Sequence, residues 1–186
     1  VLLINLIFVP SLLAQTQYSG DQVEAVTAID DHAEKLNHSY PENYVLGEWG
    51  DVRMYNYFVN GESRSYGYAR NNYERFLSSA NGTEWYDRLQ GRVGYVVTLD
   101  VPGFGPETMQ ARLHGNYGSR TESAAGLAHY QAVYATESGG YKAFALVPGA
   151  RLTGTASPNA TVTARTTVTL PNGEFEYTRQ TQADAD

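Results

Sequence analysis

The chain has 186 residues, a net charge of −7 and no cysteine. That length holds one domain and part of a second. The missing cysteines exclude disulfide staples, thiolate metal sites and cysteine nucleophiles, and the acidic balance speaks against a nucleic-acid partner.

An apolar content of 42% with 15 tyrosines is enough for a packed core. Two lysines, Lys35 and Lys142, stand against eleven arginines, a mild form of the acid-rich, lysine-poor balance of high-salt proteins. The first residues, V-L-L-I-N-L-I-F-V-P-S-L-L-A, are apolar and uncharged. They fall short of the roughly 20 residues that span a bilayer and lack the basic start of a signal peptide. The expectation is the outer end of a transmembrane helix over 1–17, in a chain that is part of something longer. A buried N-terminal helix is the alternative. No Lys or Arg precedes Lys35, which puts the rest of the chain on the non-cytoplasmic side.

A helix is expected over 21–36. Asp21 and Glu24 resemble a capping box, Val23, Val26, Ile29, Ala33 and Leu36 share a face, and Pro41 lies beyond its end. Next comes the stretch 45–61: an apolar lead, Val45-Leu46, a turn with Gly47 and Gly50, then Arg53 and the aromatics Tyr55, Tyr57 and Phe58. The turn carries Glu48, Trp49 and Asp51. Polar groups on a turn beside a packed strand are a common way to build a site. Equally, Trp49 anchors a core, Asp51 caps the next element, and Arg53 pairs with Asp51 along a strand. Tyrosines between Tyr55 and Tyr73 either stack on a sugar or peptide or line the core.

Further helices are expected over 66–79 and, capped by Thr83, over 84–90. A buried strand is expected over 92–99, and Pro106 suits the first turn of a helix running to His114. Two strands, 125–135 and 141–147, flank Gly139-Gly140 as a hairpin. From Arg151 the sequence turns Thr-rich and alternating, with Pro171-Asn172-Gly173 as a turn. This reads as the start of a β-sandwich, with too few strands to stand alone. The expected organisation is the end of a transmembrane helix (1–17), a compact α/β domain with a mixed sheet and covering helices (18–148), and a truncated β-sandwich module (149–186).

Chemistry-bearing motifs are sparse. Three glycosylation sequons start at Asn37, Asn81 and Asn159, each in an expected loop or element end. The four histidines have no ligand spacing, no phosphate loop or nucleophile elbow occurs, and Asp30-Asp31 reads as a solvated helix face. No metal site is expected.

Taken in order, these parts resemble the external C-terminal region of an archaeal oligosaccharyltransferase catalytic subunit, of the haloarchaeal type, or a divergent paralogue of it. That family carries Trp-Trp-Asp-Tyr-Gly after a Val-Leu lead. Here the lead is Val45-Leu46 and the turn is Glu48-Trp49-Gly50-Asp51-Val52. The stretch G-R-V-G-Y-V-V-T-L-D is similar to a family strand reading R-Y-V-V-V-D, and residues 126–149 to its H-Y-R-L-V-Y-E-S … V-K-V-F … V-P-G-A segment. The doubled tryptophan is reduced to Trp49, and Val52 and Arg53 replace the tyrosine and glycine.

The resemblance implies an extracytoplasmic domain at the cell membrane, in a parent enzyme that moves a lipid-linked glycan onto protein asparagine. It implies that Trp49 and Asp51, with Glu48 and Arg53 beside them, touch the acceptor polypeptide. The parent would hold a divalent metal, Mg or Mn, outside this stretch, and this part would catalyse nothing alone. The alternative is a non-enzymatic, membrane-anchored cell-surface binding or envelope protein.

Overall fold

The computed structural model describes residues 17–62 and 66–184. The apolar stretch expected to end a transmembrane helix therefore lies, but for residue 17, outside the described residues. No helix among the described residues is long and apolar enough to cross a membrane.

Four helices and four strands form a three-layer α/β unit. The helices are α1 (Gly20–Lys35), α2 (Val52–Asn60), α3 (Tyr66–Ser78) and α4 (Gly82–Leu89). The strands are β1 (Val45–Leu46), β2 (Tyr95–Leu99), β3 (Tyr130–Ala135) and β4 (Tyr141–Leu146), in the order β1-β2-β4-β3. β1 runs parallel to β2, with Val45 opposite Tyr95, while β4 is antiparallel to both β2 and β3. A bulge between Ala132 and Tyr134 shifts the register of β3.

Strand alternation decides which residue meets which layer. Tyr95, Val97, Ala143 and Ala145 face α1 and α2 through Val26, Ile29, Ala33, Met54, Tyr55 and Val59. Val96, Phe144 and Ala132 face α3 and α4 through Ala69, Tyr73, Phe76, Leu77, Trp85 and Leu89. The inner strand β2 is thus buried on both faces and reads as a nearly continuous apolar run.

Several elements differ from expectation in informative ways. α1 starts one residue early, on a capping box between Ser19 and Gln22 rather than Asp21 and Glu24. The helices expected over 21–36 and 66–79 cover the sheet from opposite faces. Between them lies α2, where an extended segment was expected after the turn. Val52, Tyr55, Asn56 and Val59 form its buried stripe, and Gly61 closes it in the left-handed conformation at φ 73°. α4 is capped by Asn81 rather than Thr83. The helix expected from Pro106 is largely a π-helical turn, Ala111–Gly115, in which Arg112, Leu113 and His114 are all buried. Three consecutive buried residues do not fit a single α-helical stripe, and the wider turn accommodates them.

Asn56 solves the edge problem of β1. Its Oδ1 accepts the Val45 N–H at 2.9 Å, and its Nδ2 donates to the Val45 carbonyl at 2.8 Å. A helical side-chain amide thus stands in for a missing neighbour strand, leaving the two-residue edge strand satisfied. Asn60 donates to Asn56 Oδ1, and Asn43 to the Val59 carbonyl, tying the same helix to the same edge.

The Thr-rich C-terminal part forms a long antiparallel hairpin, β5 (Thr161–Leu170) and β6 (Gly173–Gln182). It is docked, not free-standing: Phe175 stacks on Tyr117 with ring centroids 4.3 Å apart, and the Tyr177 hydroxyl donates to the Leu127 carbonyl. Ser119 and Arg120 bond the backbone of β6.

Candidate functional site

The turn after β1 is set by a close approach. A Cβ at Gly47 would lie 2.9 Å from the Tyr55 ring, so a glycine lets the chain leave β1 directly over that tyrosine. The Glu48 carbonyl then accepts the N–H groups of both Asp51 and Val52, starting α2. The Glu48 side chain folds back so that Oε2 accepts the Gly50 N–H at 2.6 Å. The turn sits at the carboxyl ends of the parallel pair β1 and β2, where open α/β sheets place their ligands.

A cleft of about 520 Å³ opens there. Ala69, Tyr73 and Leu77, at four-residue spacing along α3, form one apolar row, and Arg70, Glu74 and Ser78 form a polar row beside it. Glu48 and Trp49 close one wall; Val101 and Phe104, in the loop after β2, complete the lining. Trp49 is 52% exposed and meets the Tyr66 ring edge-on, with centroids 5.8 Å apart. It is a surface aromatic, not a core anchor.

The four residues singled out in the turn separate in space. Glu48 and Trp49 line the cleft, whereas Asp51 and Arg53 do not. The Arg53 guanidinium lies 4.2 Å over the Tyr66 ring, a cation–π contact, and forms no ion pair with Asp51 among the described residues. The strand in which the two would have shared a face is the first turn of α2.

Asp51 holds the N-cap position without a side-chain cap bond. It is half-buried, and the side chain of Gln22, whose Oε1 accepts the Ser19 N–H, lies beside it. Burial pushes its carboxyl above the ordinary value, and the nearby Gln22 side chain opposes that rise.

Two tyrosines lie beneath the turn. Tyr73 donates to the Val97 carbonyl at 2.7 Å. The Tyr55 hydroxyl is buried without a hydrogen-bond partner among the described residues. Burial first, then the nearby Glu48 and Asp51 carboxylates, push both phenols far above their ordinary range. Both therefore remain neutral donors at any ordinary pH. The clustered tyrosines thus divide: Tyr55 and Tyr73 are core, while Tyr66 is half-buried and Tyr57 exposed.

Chemically, the turn offers a flat apolar wall with an indole N–H, and carboxylates able to accept from a hydroxyl or amide. Sequence reasoning missed Gln22, Val101 and Phe104, which reach this end of the sheet from distant segments. No group of three or more His, Asp or Glu among the described residues is placed to hold a metal.

The sequon asparagines are all exposed. Asn37 and Asn159 sit at φ 56° and 60°, and Asn81 caps α4 through Oδ1 on the Glu84 N–H. The chain matches no family model, no curated protein and no solved structure.

Proposed function

We propose that the chain is the extracytoplasmic domain of a membrane glycosyltransferase of oligosaccharyltransferase type, with the turn after β1 contacting the acceptor polypeptide. One observation carries the reading. Trp49 stands half-exposed beside Glu48 on the wall of a cleft at the carboxyl ends of β1 and β2. A tryptophan half-exposed on the wall of a cleft presents a flat apolar face and an indole N–H to a ligand. Behind it, the half-buried Asp51 carboxylate is able to accept from an acceptor hydroxyl.

In this reading residues 1–17 end a transmembrane helix, and the β5–β6 hairpin begins a β-sandwich module. The parent holds the lipid-linked glycan and a divalent metal elsewhere, and the metal stabilises charge during attack on the activated sugar. Asn37, Asn81 and Asn159 are then acceptor positions of the same external compartment.

The test has two parts. The upstream reading frame should encode a multi-span region with an acidic pair in its first external loop; a lone anchoring helix sinks the proposal. In the complete protein, Trp49→Ala and Asp51→Asn should lower glycan transfer with little change in melting. A second reading, a cell-surface binding protein, draws on the Tyr57–Phe58 pair. These rings are both exposed and meet edge-to-face at 6.2 Å. If transfer is untouched while substitutions at that pair abolish surface attachment, this second reading replaces the first.

A further inference from the structure

A second pocket lies between the start of α4, the π-helical turn and β6, with a volume of about 270 Å³. Arg112 and Arg179 both line it, and among the described residues no Asp or Glu does. In a chain of net charge −7 that is an unusual concentration of positive charge.

Arg112 is 9% exposed. Its Nη1 donates to the Ala80 carbonyl at 2.9 Å and its Nη2 to the Ala125 carbonyl at 2.7 Å. Its Nε is buried with no partner, and no carboxylate pairs with the guanidinium among the described residues. Burial pulls the Arg112 pKa down, with Tyr130 and Glu107 acting the other way. An arginine nonetheless stays charged in a protein. A buried charge without a counter-charge is costly, and two neutral carbonyls satisfy only part of a five-donor fork.

The fold brings further donors to the same place. Thr83 lines the pocket in the first turn of α4, and the Asn81 cap satisfies the Glu84 N–H but leaves those of Gly82 and Thr83 without partners among the described residues. Free N–H groups at a helix start favour anions. Gly126 matters because a Cβ there would sit 2.7 Å from the Thr178 carbonyl. The bare backbone lets β6 approach and sets Arg179 on the pocket that Arg112 lines. Glu84, just outside, is occupied by Arg88 and Asn81 at 3.1 Å each.

We propose that this pocket binds a phosphate-type oxyanion, held by Arg112 and Arg179 with the Thr83 hydroxyl and the first N–H groups of α4. The chemistry fits a free phosphate compound or a lipid phosphate headgroup, and it does not depend on the reading of the Trp49 turn.

The test is titration of the full-length chain with inorganic phosphate, followed by amide and arginine Nε–H resonances at fixed ionic strength. Saturable shifts at Gly82, Thr83 and Arg112 are expected. Because Arg179 is exposed, Arg179→Gln should fold normally and weaken binding about fivefold, the effect of losing one exposed charge. Flotation with phosphatidic acid vesicles separates the sources: capture reversed by phosphate assigns a headgroup, and phosphate binding without capture assigns a soluble compound. Shifts no larger than those from chloride, or binding unchanged in Arg179→Gln, overturn the proposal.

Discussion

Asp51 and Arg112 make an instructive pair. Each is a charged group withdrawn from water with neutral groups beside it: the Gln22 side chain near Asp51, and the Ala80 and Ala125 carbonyls that accept from Arg112. Neither forms an ion pair among the described residues. Their responses diverge because their chemistry does. A carboxyl can shed its charge by taking a proton, and the Asp51 pKa rises accordingly; a guanidinium has no such exit. The turn after β1 therefore carries a tunable acceptor, whereas the pocket at α4 carries a fixed cation that needs an anion.

The scaffold beneath the turn offers the largest test of this contrast. Asn56→Ala strips both Val45 backbone groups of their partners at a fully buried position. A loss of about 2–4 kcal/mol in denaturant unfolding is expected from two orphaned groups. A near-neutral result means water replaces the amide and the turn is not anchored there.

The next test concerns pH. A folded-state pKa raised above the unfolded one means the native state binds the extra proton. Wild-type stability therefore falls as pH rises from the ordinary carboxyl value through the raised one. Asp51→Asn keeps the shape and a side-chain acceptor oxygen but cannot ionise. The two proteins should match in acid, and the variant should equal or exceed wild type at neutral pH. A variant less stable at neutral pH shows that the Asp51 charge is favourably paired, and the contrast with Arg112 disappears.

The smallest effect belongs to Tyr55. Its hydroxyl has no partner among the described residues, so Tyr55→Phe removes an unsatisfied group and leaves the ring packing intact. Stability within about 0.5 kcal/mol of wild type is expected. A loss well beyond that exposes a partner, such as an ordered water shared with Asp51.

Locality decided which elements were legible in the sequence. α1, α3 and the strands β2, β3 and β4 announce themselves through apolar spacing or short β-rich runs; β3 starts five residues after its expected bound, and the others lie within three residues of theirs. α2 was obscured because Tyr55, Tyr57, Phe58 and Val59 also suit a strand. The helical signal, Val52, Tyr55, Asn56 and Val59, includes a buried polar residue that hydropathy discounts. The first capping box was misplaced because Ser19-x-x-Gln22 and Asp21-x-x-Glu24 overlap, and only packing chooses between them.

At the site, Glu48 and Trp49 were legible as neighbours on a turn. The Gln22 contact to Asp51 was not, because it joins segments that meet only once the sheet is built. Arg112 was invisible for the same reason: nothing local says that an arginine before Leu113 will be buried, or that Gly126 will admit β6 and Arg179 beside it.

The central claim is that Trp49 serves a ligand and not the core, and one paired measurement addresses it. In the complete protein, Trp49→Ala should leave the melting temperature nearly unchanged, since the side chain is 52% exposed. Glycan transfer to an acceptor peptide should fall at least tenfold, the order expected, about 1.4 kcal/mol, when one well-placed contact to the acceptor is lost. A destabilisation of roughly 3–5 kcal/mol, as for a core aromatic, or undiminished transfer in a stable variant, contradicts the account.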